Sequence, residues 1–242
     1  MIRTFLLASV AALSSVLLPG CSSPRAEKEP SAPTAWEHGE APIAYPAISD
    51  NVQHDTLLIQ TTFDLGDSTY AMVAGNVEET FEGIRLFRYQ LLPDSTARVL
   101  SYSTPGYDSW TMLPKFFKLP GVPRRHAILA NFGERESWGQ KLLLMDSAFS
   151  DLGFLDVALP IRVIEEDSLR LKRGDIGQLA RLALHADTMV ITFACDSVYL
   201  YDDQMGNMDR VVASPLIRYT HHDSTGLLLW YNGERRAVKK PA

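Results

Sequence analysis

The residues best suited to chemistry are few and scattered. His221-His222-Asp223 offers two imidazoles and a carboxylate, donor types that transition metals take. Adjacent side chains on a strand point to opposite faces, so one ion does not collect both. The expected role is a turn into the apolar run 227–230. Asp202-Asp203-Gln204-Met205-Gly206-Asn207-Met208-Asp209 is acidic and carries a glycine. Calcium loops need oxygen ligands at fixed alternate positions, and Met205 and Met208 interrupt them, so a hairpin turn is expected. Cys195 sits alone in the apolar run 192–200 and reads as a small buried hydrophobe rather than a nucleophile. Trp110, Trp138, Trp230 and Tyr231 fall near expected strand ends. Flat aromatic faces there bind sugars or protein partners, and these four form the expected ligand surface. No catalytic, cofactor-binding or metal-ligating residue is assigned.

Other signals dissolve into turn chemistry. Asp followed by Ser or Thr recurs at Asp55, Asp67, Asp94, Asp108, Asp146, Asp167, Asp187, Asp196 and Asp223, and such side chains bond their own downstream N–H groups. Gly66-Asp67-Ser68 belongs to this set. It resembles the nucleophile block of GDSL-type hydrolases, which implies a serine nucleophile completed by His and Asp. In that family an Asp lies two residues before the His, and neither His221 nor His222 has one. Arg173-Gly174-Asp175 matches an adhesion tripeptide, but three residues carry no weight. Arg124-Arg125-His126 and the tail Arg235, Arg236, Lys239 and Lys240 are basic clusters suited to anionic headgroups or an acidic partner.

The first residues are an address. Arg3 is followed by the apolar run 5–18, shorter than the ~20 residues a membrane-spanning helix needs. Leu18-Pro19-Gly20-Cys21 comes next. This resembles the lipobox of bacterial lipoproteins, although Pro19 replaces the usual small or β-branched residue. The resemblance implies removal of residues 1–20 and a diacylglyceryl group on the sulfur of Cys21, which is then the membrane anchor. Ser22 and Ser23 follow with no Asp, which in Gram-negative lipoproteins implies export to the outer membrane. Residues 21–50 hold five prolines and mixed charges and read as an extended tether, with 42–48 apolar enough to pack. One domain, 51–242, remains.

The elements that must position these residues are strands. With 46% hydrophobic and 21% charged residues, the chain is globular. Two cysteines exclude a disulfide scaffold. A net charge of -6 weighs against non-specific nucleic-acid binding, which positive charge drives. Short runs rich in Val, Ile, Leu, Tyr and Phe alternate with turn signals, the pattern of an all-β domain. Leu86, Leu143 and Leu200 recur at equal spacing within similar strand triplets, so a repeat-like, propeller-like array of antiparallel sheets is favoured, with a β-sandwich or partly open barrel as the alternative. Residues 217–238 would be a truncated fourth unit, completed by 42–48. The stretch 177–186 fits helix and strand equally. The expected function is a non-catalytic envelope module that binds a partner protein or a glycan. The alternatives are an envelope hydrolase whose site assembles only in three dimensions, or a structural lipoprotein.

Overall fold

The computed structural model describes residues 39–238 apart from 55–56, 67, 77–82, 95, 107–108, 122–123, 135–136, 166–167 and 202–209. The segment read as a signal, Cys21, most of the stretch read as a tether, the acidic segment 202–209, Lys239 and Lys240 therefore lie outside the described residues. Those described form strands and two short 3-10 turns, with no α-helix among them.

β1 (Ala47–His54), β2 (Leu57–Asp64), β3 (Tyr70–Asn76), β4 (Ile84–Leu91) and β5 (Ala97–Tyr102) form an antiparallel meander, sheet I. β6 (Lys115–Lys118), β7 (His126–Glu134), β8 (Ser137–Met145) and β9 (Phe149–Leu155) form a second meander. The hairpin of β10 (Val157–Glu165) and β11 (Ser168–Gly174) extends it, through a parallel contact of Arg173 with Ser137. β12 (Ala180–His185) and β13 (Thr188–Phe193) then begin sheet III, and β14 (Ser197–Leu200) with β15 (Arg210–Ala213) returns to the edge of β10 to complete sheet II. β16 (Ile217–His222), β17 (Gly226–Tyr231) and β18 (Glu234–Ala237) finish sheet III, in the order β12-β13-β16-β17-β18.

Sheet II is the middle layer. Phe117, Ala127, Leu129, Leu142 and Leu144 face one core, with Leu182, Ile191, Phe193 and Tyr219 of sheet III on its far side. Phe116, Ile128, Ala130, Leu143 and Met145 face another core, with Ala71, Val73, Ile84 and Leu86 of sheet I opposite. A strand covered on both faces has no polar side to display. That is why residues 142–145 form an unbroken apolar run, each side chain contributing roughly 1.5–3 kcal/mol by burial.

The repeat holds for two units and fails for the third. β2–β5 and β6–β9 are both four-stranded meanders, and Leu86 and Leu143 meet in one core. Leu200 does not sit in a third equivalent sheet. It lies in β14 of sheet II and faces the other core. The chain leaves sheet III at Phe193 and enters sheet II at Ser197, so 192–200 is a crossover rather than one strand. The crossover lets Phe193 and Val198 enter the same core from opposite walls. It also supplies Leu200 and Tyr199 as partners for Val157 and Ala158, which would otherwise leave the β10 edge open. Residues 217–238 complete sheet III instead of starting a fourth unit. Gly177–Leu179 is a 3-10 turn, and β12 begins directly after it.

Part of the stretch read as tether is folded. Glu40 exchanges two backbone bonds with Leu182 on the free edge of β12, at 2.8 and 3.0 Å, and the Ile43 N–H donates to the Phe116 carbonyl of β6. Gly39 permits this approach, because a Cβ there would lie 2.8 Å from the Leu182 nitrogen. Tyr45 then packs edge-on against Phe116, and its hydroxyl lies 3.0 Å from His126 Nε2. This strap covers edges of sheets II and III, which unpaired would invite aggregation.

Candidate functional site

The four aromatic residues picked from sequence do not form one surface. Trp110 is exposed in the loop before β6, and its carbonyl accepts a bond from Gln60 Nε2. Trp138 opens β8, with its indole lying against Gly133 across the hairpin. Trp230 and Tyr231 are neighbours on β17 and so face opposite sides of sheet III. Tyr231 packs on the core, with the Arg210 guanidinium 4.8 Å from its ring centre.

Trp138 shares its face of sheet II with a polar chain. Asn131 and Gln140 are cross-strand partners, both fully buried. Asn131 Nδ2 donates to Asp175 Oδ1 at 2.6 Å, the Gly177 N–H donates to the same oxygen at 2.7 Å, and Gln140 Nε2 donates to Asn131 Oδ1 at 2.8 Å. An ionised carboxylate only accepts, so Asp175 fixes the orientation of both amides. Gln140 Oε1 is left buried with no partner among the described residues. The side chain of Lys115 runs past Gly177 beside this chain. Here the Arg-Gly-Asp tripeptide is internal, since Arg173 stacks 3.8 Å from the Tyr201 ring centre and Asp175 holds the loop.

The β10–β11 ribbon projects past its neighbours. β14 pairs only with Val157 and Ala158, and β8 only with Arg173. Ile164 pairs with Leu169 and Arg162 with Leu171, which places these four on one face. Ile164 is 80% exposed and Leu169 67%. On the opposite face Glu165 pairs with Lys172 and approaches Arg170 at 3.8 Å. Glu165 is thus engaged on the opposite face, and the exposed apolar cluster on the first face is the ribbon's tip, Ile164 with Leu169, beside Leu171 and the charged Arg162. These residues were not picked from sequence, because their alternation of apolar and basic types looks like any half-buried strand.

The outward face of sheet III carries a row of cations. Register places Arg181 beside Thr192, Arg218 beside Trp230, and Trp230 beside Arg235. Thr192 and Arg218 continue the register of Ile191 with Tyr219, so one row crosses all five strands. The Arg218 guanidinium lies 4.8 Å from the Trp230 ring centre, and Trp230 Nε1 donates to Thr220 Oγ1 at 2.9 Å. Arg181 turns back on the carbonyls of Gln178 and Ala180. None of the three arginines has a carboxylate partner among the described residues. Val190, one register step along, is fully buried.

The remaining candidates fall into structural roles. Ser68 lies in the β2–β3 turn with φ of +57°. His221 is buried on the core side of β16, while Nδ1 of His222 on the other side accepts the Ser224 N–H. No cluster of three metal-ligating side chains occurs among the described residues. Cys195 is half-buried in the crossover, and burial, then the Asp196 charge, pushes its thiol pKa up. His126 is buried rather than part of a basic patch, and burial holds its pKa below the usual histidine value. Asp94 and Asp146 do cap their turns. Each accepts an N–H two residues on, from Thr96 and Ala148, and these bonds, led for Asp94 by the Thr96 hydroxyl, hold both carboxyls below the ordinary range. No family model, no curated protein and no solved structure matches this chain.

Proposed function

We propose that this chain is an exported, lipid-anchored, non-catalytic binding module of a bacterial envelope, held on the outer membrane through Cys21. It engages a partner protein through the apolar tip of the β10–β11 ribbon, Ile164 with Leu169. The observation that carries this is the exposure of Ile164 and Leu169 on a ribbon paired only at its base. Apolar clusters that remain in water mark interaction sites, and a ribbon with open edges suits strand addition by a partner. The test is a photo-reactive residue at Leu171 in the anchored protein, in cells. One discrete adduct is expected, lost in Ile164→Asp/Leu169→Asp while thermal stability is kept. An adduct pattern indifferent to that pair of changes overturns the partner reading. Cys21→Ala tests the anchor separately, since it should release the protein from membranes.

A glycan is favoured by one observation. The half-buried Trp138 indole offers a flat apolar ring near the start of β8, the kind of face on which a sugar stacks. Calorimetry with soluble peptidoglycan fragments should then give a heat that Trp138→Ala abolishes. Equal heats in both proteins reject it.

A further inference from the structure

From the outward face of sheet III we infer a second function: the Arg218–Trp230–Arg235 row lays the domain against anionic lipid headgroups of the bilayer that holds its anchor. This rests on the anchoring reading above and adds an orientation to it. In a chain with 29 acidic against 23 basic residues, an even distribution would mix signs on every face. The outward strand positions of sheet III hold Arg181, Arg218 and Arg235, together with His185 and His222, and no Asp or Glu. Arg218 and Arg235 flank Trp230 on neighbouring strands, so their backbones lie roughly 10 Å apart, twice the spacing of paired strands. A tryptophan between two cations matches a membrane boundary, where the indole sits at headgroup level and guanidinium groups meet phosphate.

Charge alone leaves the phosphate source open, and the path of the chain selects it. The chain enters the domain along the free edge of β12, where Glu40 pairs with Leu182, one residue from Arg181 at the end of the same row. Only about eighteen residues separate Cys21 from Gly39, a reach of at most ~60 Å fully extended. The anchored domain therefore meets headgroups at high local concentration, and the sheet beside the tether entry is the one whose outward strand positions carry no Asp or Glu. Trp230 is held in place by its bond to Thr220 and its stacking on Arg218, so it offers a fixed edge to the interface.

The test uses the full lipidated chain in vesicles of brominated lipid. One set contains one-third phosphatidylglycerol and the other only phosphatidylcholine. Flotation first reports anchoring. Tryptophan quenching then reports whether the domain lies down. In a Trp36→Phe background, which removes the indole nearest the anchor, quenching is expected on the anionic vesicles and not on the neutral ones, and should vanish when Trp230→Phe is added. Each arginine near an anionic surface shifts the docked-to-free ratio by roughly fivefold, so Arg218→Gln/Arg235→Gln should lower it by roughly thirtyfold. High salt should act in the same direction. Protein that floats but is quenched equally on both vesicle types, or unchanged in Trp230→Phe, overturns the docking inference and leaves the anchor standing. Docking of the wild type that free phosphate at millimolar concentration competes away, with no dependence on vesicle charge, also overturns it in favour of a soluble phosphate ligand. Protein that floats with neither vesicle overturns the anchoring reading, and this inference with it.

Discussion

Lys141 should be the most consequential buried charge in the domain, and its partner the most damaging to remove. The lysine is 1% exposed in the middle of β8. Its ammonium has three donors and three acceptors: Thr104 Oγ1 at 2.7 Å, the Pro105 carbonyl at 2.8 Å and Asp151 Oδ2 at 2.5 Å. Lys141 and Asp151 are neighbours within sheet II, on β8 and β9, whereas Thr104 and Pro105 come after β5 of sheet I, so the hydrogen bonds of the pair to Thr104 and Pro105 clamp two layers. Asp151→Ala leaves a buried cation with neutral partners only. Breaking a buried pair from one side costs about 3–5 kcal/mol, which for a domain of this size lowers Tm by roughly 6–20 °C. Lys141→Met keeps the volume and removes the buried charge. Asp151 is 21% exposed and still accepts from Thr104 at 2.9 Å, so this change should cost about 1–3 kcal/mol. The double variant Lys141→Met/Asp151→Leu should recover part of the loss, because replacing both ions with apolar groups is often neutral. Urea unfolding with a common m-value gives the three differences. The reasoning is refuted if Asp151→Ala lies within about 1 kcal/mol of wild type, or if the double variant loses the sum of the singles.

The same geometry sets three further expected outcomes. Because burial keeps the folded-state pKa of His126 below its unfolded value near 6.5, the unfolded chain takes up a proton first, and stability should decline as pH falls below about 6.5. His126→Phe should flatten that part of a Tm-against-pH curve, and an unchanged slope would assign it elsewhere. Gly39→Val would place a Cβ 2.8 Å from the Leu182 nitrogen, so it should detach the strap at a cost of about 1–3 kcal/mol, read as faster hydrogen exchange at the amides of Glu40 and Leu182. Gly133→Ala would drive a Cβ into the Trp138 indole. Its near-ultraviolet circular dichroism should change while strand content stays constant, and an unaltered aromatic spectrum would mean the ring was not seated there.

Local features were legible in the sequence. The apolar run 227–230 falls within β17, and Leu86 and Leu143 fall within β4 and β8, because period-two patterning and Asp-led turns act over a few residues. The turn role of Asp94 and Asp146 was legible for the same reason. The β10–β11 ribbon was not, because its apolar residues resemble those of a buried strand, and only the lack of a neighbour makes them exposed. Nor was the Arg218–Trp230–Arg235 row, whose members are separated in the chain and meet through strand register.

The sequence by itself determined that this is an all-β domain in an acidic chain with a proline-rich lead-in. Each of these comes from composition or from neighbours in the chain. Tertiary structure alone decided which sheet each strand joined. Leu200 has the same local surroundings as Leu86 and Leu143, yet β14 crosses to sheet II because an open β10 edge and a shared core gain more from it there than a third meander would. Strand pairing is settled by which edges and apolar faces remain uncovered across the whole domain, and no local spacing encodes that competition.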